Sequence, residues 1–223
     1  MNAYSARIGA RSGALLWRVR PTGAHRVVPD GALDRMWSGG RLVVAGPDTA
    51  AVVVRGGQET VGLRFPPGVA PLLLRTSAAD LRDERVELRD LVPTPVPPGA
   101  PAALLEQVYL DLWAAADPDR DLIRAAAALD RAADRGDPVA AVAERTGVAE
   151  RSLRRTSHLL FGYGLKTLSG IRRFQRAWDL VRAGADLADA AARAGYADQP
   201  HLTREFTRFA GLPPARLASI RST

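Results

Sequence analysis

Two hydrophobic periods divide this chain. From about residue 12 to 76, apolar residues fall in short runs or alternate with polar ones, and glycines separate the runs. That is how half-buried strands joined by tight turns read. GALLWRVR (13–20) predicts one strand. LDRMWS and RLVVAG (33–46) flank Gly39-Gly40, a two-residue loop of the kind that closes a β-hairpin. AVVVR and TVGLRF (51–65) flank GGQE and predict a second hairpin with a longer loop. PLLLRT (71–76) reads as a further strand or as the approach to a short helix near SAADLRD. Short strands with glycine turns predict a small antiparallel β-barrel or sandwich.

VPTPVPPGAP (92–101) is a proline-rich connector. Beyond it the period becomes helical: Leu104, Leu105, Val108 and Leu112 recur at helix spacing. Asp117-Pro118 predicts an N-cap followed by proline, opening a helix over about 119–135, and Asp137-Pro138 repeats the signal. The fold class is therefore α+β. The expected organisation is a β-barrel domain over 1–91, a proline-rich and helical linker over 92–136, and an all-α domain over 137–223.

The all-α part contains an internal repeat. DPVAAVAERTGVAERSLRRTSHLLFG (137–162) aligns with ADLADAAARAGYADQPHLTREFTRFAG (185–211) at an offset of 48 to 49 residues. Each copy has an alanine-rich helix, a glycine turn (Gly147, Gly195), a second helix keyed by leucine (Leu153, Leu202) and a closing glycine (Gly162, Gly211). Helix, glycine turn, helix is the helix-turn-helix plan. In the first copy Leu153, Ser157 and Leu160 share one side, while Arg151, Arg154, Arg155 and His158 share the other. In the second, Leu202, Phe206 and Phe209 form the apolar stripe. Arg204, Thr207 and Arg208 face away, flanked by His201 and Thr203. Arginine reads guanine edges with a bidentate fork, and Gln199, His201 and Thr203 reach bases or phosphates. LKTLSGIRRFQRAWDLVRA (165–183) joins the copies. As a helix it would be about 28 Å long, near the roughly 34 Å repeat of successive major grooves.

Charge sharpens this picture. The net charge is +7, and residues 138–223 hold 14 Arg and Lys against 7 Asp and Glu, leaving 17 against 17 before them. The whole excess sits on the repeat, as expected of a polyanion-binding module. The absence of cysteine excludes disulfides, thiolate metal sites and thiol chemistry. His25, His158 and His201 are too scattered for a histidine metal site, so no metal, cofactor or catalytic residue is expected. No apolar run approaches the roughly 18 residues of a membrane helix, and no secretory signal is evident. A cytoplasmic protein is expected.

LADAAARAGYADQPHLTREFTRFAGLPPARLA strongly resembles the second helix-turn-helix of AraC/XylS-type transcriptional regulators. GVAERSLRRTSHLLFGYGLKTLSGIRRFQRAWDLVRAG resembles the first unit and connecting helix of that family. The resemblance covers about 137–220 and implies a double helix-turn-helix domain that binds double-stranded DNA. By position, it places Arg151, Arg154 and Arg155 in the groove-facing part of the first recognition helix. It places Gln199, Pro200, His201, Thr203 and Arg204 in that of the second. Pro200 replaces a usual polar residue, Ala149 a common capping serine, and Ser157 a common core residue. The front half, through RVVPDGALDRMWSGGRLVVAGPDTA and VGLRFPPGVAPLL, resembles an uncharacterised N-terminal domain fused to such modules. The family implies a cupin-like barrel there that senses a small-molecule effector or forms a homodimer, with RNA polymerase as a partner where the protein activates. DNA-repair relatives that accept methyl groups need a cysteine this chain lacks.

Three readings result: a regulator with a ligand-sensing barrel, a DNA-binding protein whose barrel only dimerises, and a small β-barrel enzyme with an accessory basic domain. Trp17, Trp37 and Phe65 could line a ligand pocket or simply fill the barrel, and core packing is the favoured role. The enzyme reading has little to draw on, since no Ser/His/Asp grouping or phosphate loop occurs.

Overall fold

The computed structural model describes residues 3–93 and 102–219, so 94–101 of the proline-rich connector lie outside the described residues. The chain opens with β1 (Ala3–Ile8), β2 (Leu15–Arg20), β3 (His25–Val27), β4 (Asp34–Ser38), β5 (Arg41–Ala45), β6 (Val52–Val54) and β7 (Thr60–Arg64). Then come α1 (Ala70–Leu74), β8 (Arg85–Glu87) and α2 (Leu88–Leu91). The helical half comprises α3 (Ala102–Ala116), α4 (Arg120–Arg135), α5 (Val139–Thr146), α6 (Glu150–Phe161), α7 (Leu165–Arg182), α8 (Leu187–Ala194), α9 (Gln199–Ala210) and α10 (Pro214–Ser219).

The α+β class and the order of its halves are as expected, but the barrel is not closed. Six strands form one antiparallel sheet in the order β1-β2-β7-β4-β5-β8, and β3 with β6 makes a separate two-stranded ribbon. Among the described residues β1 and β8 remain edges. Helices do what a closing wall would do. Leu73 and Leu74 of α1 and Leu105, Val108, Tyr109 and Leu112 of α3 cover one sheet face over Leu16, Leu33, Leu42, Val44 and Leu63.

The Gly39-Gly40 hairpin forms as expected. Ser38 pairs with Arg41 in register, and both glycines hold positive φ, 58° and 78°, the geometry a tight two-residue loop requires. The second expected hairpin does not form. β6 pairs with β3, while β7 sits between β2 and β4. Val61, Gly62 and Leu63 are buried and need a neighbour on each side, whereas Val52, Val53 and Val54 are exposed. Period-2 patterning assigns faces; it does not choose partners. In the register of β7, Gly62 lies opposite Trp17, and a Cβ there would collide with the indole ring.

PLLLRT resolves to the helix α1 rather than a strand. The expected cap at Asp117 also shifts. Asp119 is the N-cap of α4, its carboxylate accepting from Asp121 N at 2.7 Å, and Asp117 is a left-handed turn residue with φ 40°.

Two hydrophobic cores result, and the helices between the halves divide between them. α3 belongs to the core under the sheet. α4 contributes Ala126, Leu129, Ala132 and Ala133 to the second core, which runs through α10. The halves touch directly: Arg172 Nη1 of α7 donates to Asp30 O at 3.0 Å, and the Gln175 amide donates to Pro29 O.

One residue violates the burial pattern. Alternation along β4 draws position 35 inward with Leu33 and Trp37, and position 35 is arginine, fully buried. Its guanidinium lies over Phe65, 5.9 Å from the ring centroid, and donates to Leu105 O, but Nε and Nη1 have no partner among the described residues. Burial pulls its pKa down to about 9. At neutral pH the group is still a cation, and its desolvation is poorly compensated. Arg35→Met is expected to raise the folding stability at pH 7 by about 1–4 kcal/mol, several degrees in Tm. A lowered Tm in thermal unfolding would show that the guanidinium contributes more than its burial costs.

Candidate nucleic-acid interface

The repeat seen in the sequence is exact in its lengths. α5 and α8 have 8 residues each, and α6 and α9 have 12 each. The first helices start 48 residues apart and the second 49 apart, so the added residue lies in the second turn. Gly147 and Gly195 close the first helices in the left-handed conformation (φ 70° and 85°).

The two turns are capped differently. In the second unit Asp198 accepts from His201 N at 2.6 Å and so caps α9, with Pro200 in the first turn, where a missing N–H costs nothing. In the first unit Ala149 offers no side-chain cap. Ser157, at a position where the resemblance implies an apolar residue, is fully buried, and its hydroxyl donates to Tyr163 O at 2.8 Å. The serine thus fastens α6 to the chain just beyond it and leaves no unpaired hydroxyl in the core.

Both long helices bury the expected stripes. Leu153, Ser157, Leu160 and Phe161 of α6 are buried, as are Leu202, Phe206, Phe209 and Ala210 of α9. Phe174 of α7 meets Phe206 edge-on, centroids 4.8 Å apart, and Phe209 at 5.5 Å. α7 runs unbroken through Gly170, which lies against the Phe209 ring. Its 18 residues span about 27 Å.

The opposite faces carry the candidate DNA-binding side chains. Arg151, Arg154, Arg155 and His158 are all exposed on α6. Arg151 and Arg155 make no ion pair or hydrogen bond through their side chains among the described residues, whereas Arg154 is paired to Glu150 at 2.6 Å. On α9, Gln199, Arg204 and Arg208 are exposed and His201 and Thr203 half-buried. Arg204 has no side-chain partner among the described residues. Arg208 pairs with Glu205 at 3.2 Å and lies over Phe209. His201 packs edge-on against Tyr196, centroids 5.1 Å apart. Tyr196 in turn lies beneath the Arg173 guanidinium at 4.7 Å. Burial pushes the Tyr196 phenol up to about 12, so it stays neutral.

The candidates therefore sort by position. Arg151 and Gln199 lie in the first turns of α6 and α9 and Arg155 and Arg204 in the second, the N-terminal halves that meet base edges when such a helix enters a major groove. His158 and Arg208 lie in the last turns, where both helices meet the β-rich half. Glu205 had no place in the sequence reading, yet it holds Arg173 of α7 at 3.4 Å as well as Arg208. An acidic residue on a basic helix gives no such signal until its partner on another helix is known.

Residues 142–219 match the helix-turn-helix domain family. No curated protein matches the chain. Among solved structures, one of ToxT from Vibrio cholerae superposes with a TM-score of 0.52 at 8% identity, covering 93% of this chain and 99% of that one. A second, of an apo single-substitution variant of ToxT from Vibrio cholerae, gives 0.50 at 13% identity over 96% and 99%. At these identities the likeness concerns the fold alone: a β-containing front half and a helical rear half in one chain. Among the described residues no helix is long and apolar enough to cross a membrane, and no group of three or more His, Asp or Glu is arranged to hold a metal.

Two substitutions probe how the interface is built. Ser157→Ala leaves a buried carbonyl unpaired and is expected to cost about 1–3 kcal/mol. Asp198→Ala removes the α9 cap at about 1 kcal/mol. Urea unfolding measures both, and a Ser157→Ala protein as stable as the parent would refute the fastening role.

Proposed function

From a C-terminal domain that is a helix-turn-helix domain of the AraC/XylS type, we propose that the chain is a transcriptional regulator that lays α6 and α9 in adjacent major grooves on one face of the duplex. The observation that carries this reading is the structural duplication: two units with equal helix lengths, each turning an arginine-bearing face outward from a shared core. A helix that buried its arginines in ion pairs could not read DNA, and Arg151, Arg155 and Arg204 are unpaired among the described residues.

In this reading residues 137–223 are the DNA-binding unit. Arg155 and Arg204 read bases with their guanidinium forks, and Gln199 and Thr203 sit beside Arg204 at the groove. Arg151, Arg154, His158, His201 and Arg208 supply phosphate contacts or support them. Arg154 and Arg208 would exchange Glu150 and Glu205 for phosphate, which lowers their net contribution, since an existing pair must be given up. Residues 1–91 serve effector sensing or self-association, and RNA polymerase is the further partner where the outcome is activation.

The test begins with selection of operators from random duplexes by the full chain. On the selected site, Arg155→Ala and Arg204→Ala are each expected to cost about 1–3 kcal/mol and to relax specificity at a single position. Log affinity should fall linearly with log salt, with a slope of about −0.9 per phosphate neutralised. Wild-type affinity in both single variants, or a flat salt response, would defeat the proposal.

A further inference from the structure

The last carbonyls of a helix have no partner within it and carry partial negative charge. In α6 and α9 these ends are not left to solvent. Leu159 O, at the end of α6, accepts from Ala78 N at 2.9 Å, and Gly162 O accepts from Arg82 Nη1 at 3.2 Å. Phe209 O, at the end of α9, accepts from Ala51 N at 2.7 Å, and Ala210 O accepts from Arg26 Nη1 at 2.9 Å. Each recognition helix thus receives one backbone N–H and one guanidinium, and all four donors come from the β-rich half.

The two sets of donors are also fastened to each other. Ala51 closes the loop after β5, and Arg26 lies on β3, which pairs with β6 immediately after Ala51. Ala78 and Arg82 lie in the turns between α1 and β8. Gly46 N donates to Glu84 O at 3.0 Å, and Asp83 N donates to Pro47 O at 3.2 Å. Thr49 donates to the Asp83 carboxylate through its backbone N–H at 2.6 Å and its hydroxyl at 2.9 Å. Arg85 pairs with Asp48 at 2.7 Å. Loop 46–51 and turn 78–85 are therefore one cross-linked piece, touching both recognition helices at once.

We propose that this piece is a brace that sets the placement of α9 relative to α6, with Arg26 and Arg82 as its positioning residues. The connecting helix α7 fixes one path between the two units; the brace closes a second path at their other ends. Two connections between two bodies restrict their relative rotation more than the packing of both units along α7 does by itself. Resting on the DNA-binding reading above, the proposal further assigns selectivity for operator spacing to the β-rich half, although none of its residues needs to touch a base.

The chain lacks cysteine, so paired nitroxide labels go onto Glu144→Cys in α5 and Ala192→Cys in α8, both exposed and outside the candidate interface. Pulsed dipolar spectroscopy of the full chain is expected to give one narrow distance distribution. That distribution should broaden in Arg26→Ala/Arg82→Ala and narrow again in Arg26→Lys/Arg82→Lys, because lysine keeps a cationic donor. An unchanged distribution in the alanine pair overturns the brace, whether or not the chain binds DNA. Should the alanine pair fail to fold, Arg26→Ala and Arg82→Ala taken singly each remove one of the two guanidinium contacts, and the same two outcomes apply. On DNA, the alanine pair is expected to lose roughly tenfold in preference for the selected operator over versions with one base pair added or removed between the two elements. Its affinity for a site with one element scrambled should not change. Broadened distances with undiminished spacing preference would overturn the assignment of spacing selectivity. Absence of any selected operator for the unmodified chain would instead sink the DNA-binding reading and leave the distance result standing.

Discussion

The apolar face of α7 is the surface on which the helical half depends. Leu168, Ile171, Phe174, Ala177 and Trp178 are buried along it, and α4, α6, α8, α9 and α10 all take part in the core they help to form. Phe174 alone meets two aromatic rings of α9. A 12-residue helix is near the lower limit of what is stable in water by itself, so α6 and α9 exist as helices because this face gives their apolar stripes somewhere to go. The arginines face outward as a consequence: once Leu202, Phe206 and Phe209 turn in, Arg204 has only solvent or a polyanion left to face.

Charge in the protein follows the same logic with differing success. Asp34 and Arg64 form a two-pronged pair with Trp17 Nε1 on the same carboxylate. Burial pushes the Asp34 carboxyl up while Arg64 holds it down, and Asp30 and Asp34 together keep Arg64 charged despite its own burial. Arg172 spans the halves through Asp130 and the Asp30 carbonyl. Arg35 is the exception, drawn inside by strand alternation without an anion to receive it. On α6 and α9 the situation reverses: exposure makes unpaired cations inexpensive, and Arg151, Arg155 and Arg204 stand there without a side-chain partner among the described residues.

The β-rich half and the helical half meet through carbonyl groups as well as through apolar side chains such as Val28 and Leu72, which pack against the helical core. Arginine, glutamine and backbone donors reach the ends of α6 and α9 and the loop at Pro29 and Asp30. Hydrogen bonds of this kind specify orientation well because they depend steeply on angle and distance. The front half is thereby attached to the orientation of α6 and α9.

Local rules made much of this legible. The glycine-bounded repeat, the leucine and phenylalanine stripes, the Gly39-Gly40 hairpin and the confinement of the net positive charge to the last third all follow from near neighbours in the chain, where the period of apolar residues and the φ freedom of glycine act directly. The candidate reading residues were legible for the same reason, since the face opposite a buried stripe is known once the period is known. What remained hidden depended on partners distant in sequence: β7 joining β2 and β4 instead of β6, helices α1 and α3 taking the place of a barrel wall, Glu205 holding two arginines, and Arg26 and Arg82 reaching the ends of α9 and α6. Pattern along a chain states which face of an element must be covered, and only the folded chain determines what covers it, because many apolar faces satisfy the same burial requirement and shape, register and hydrogen-bond geometry select among them.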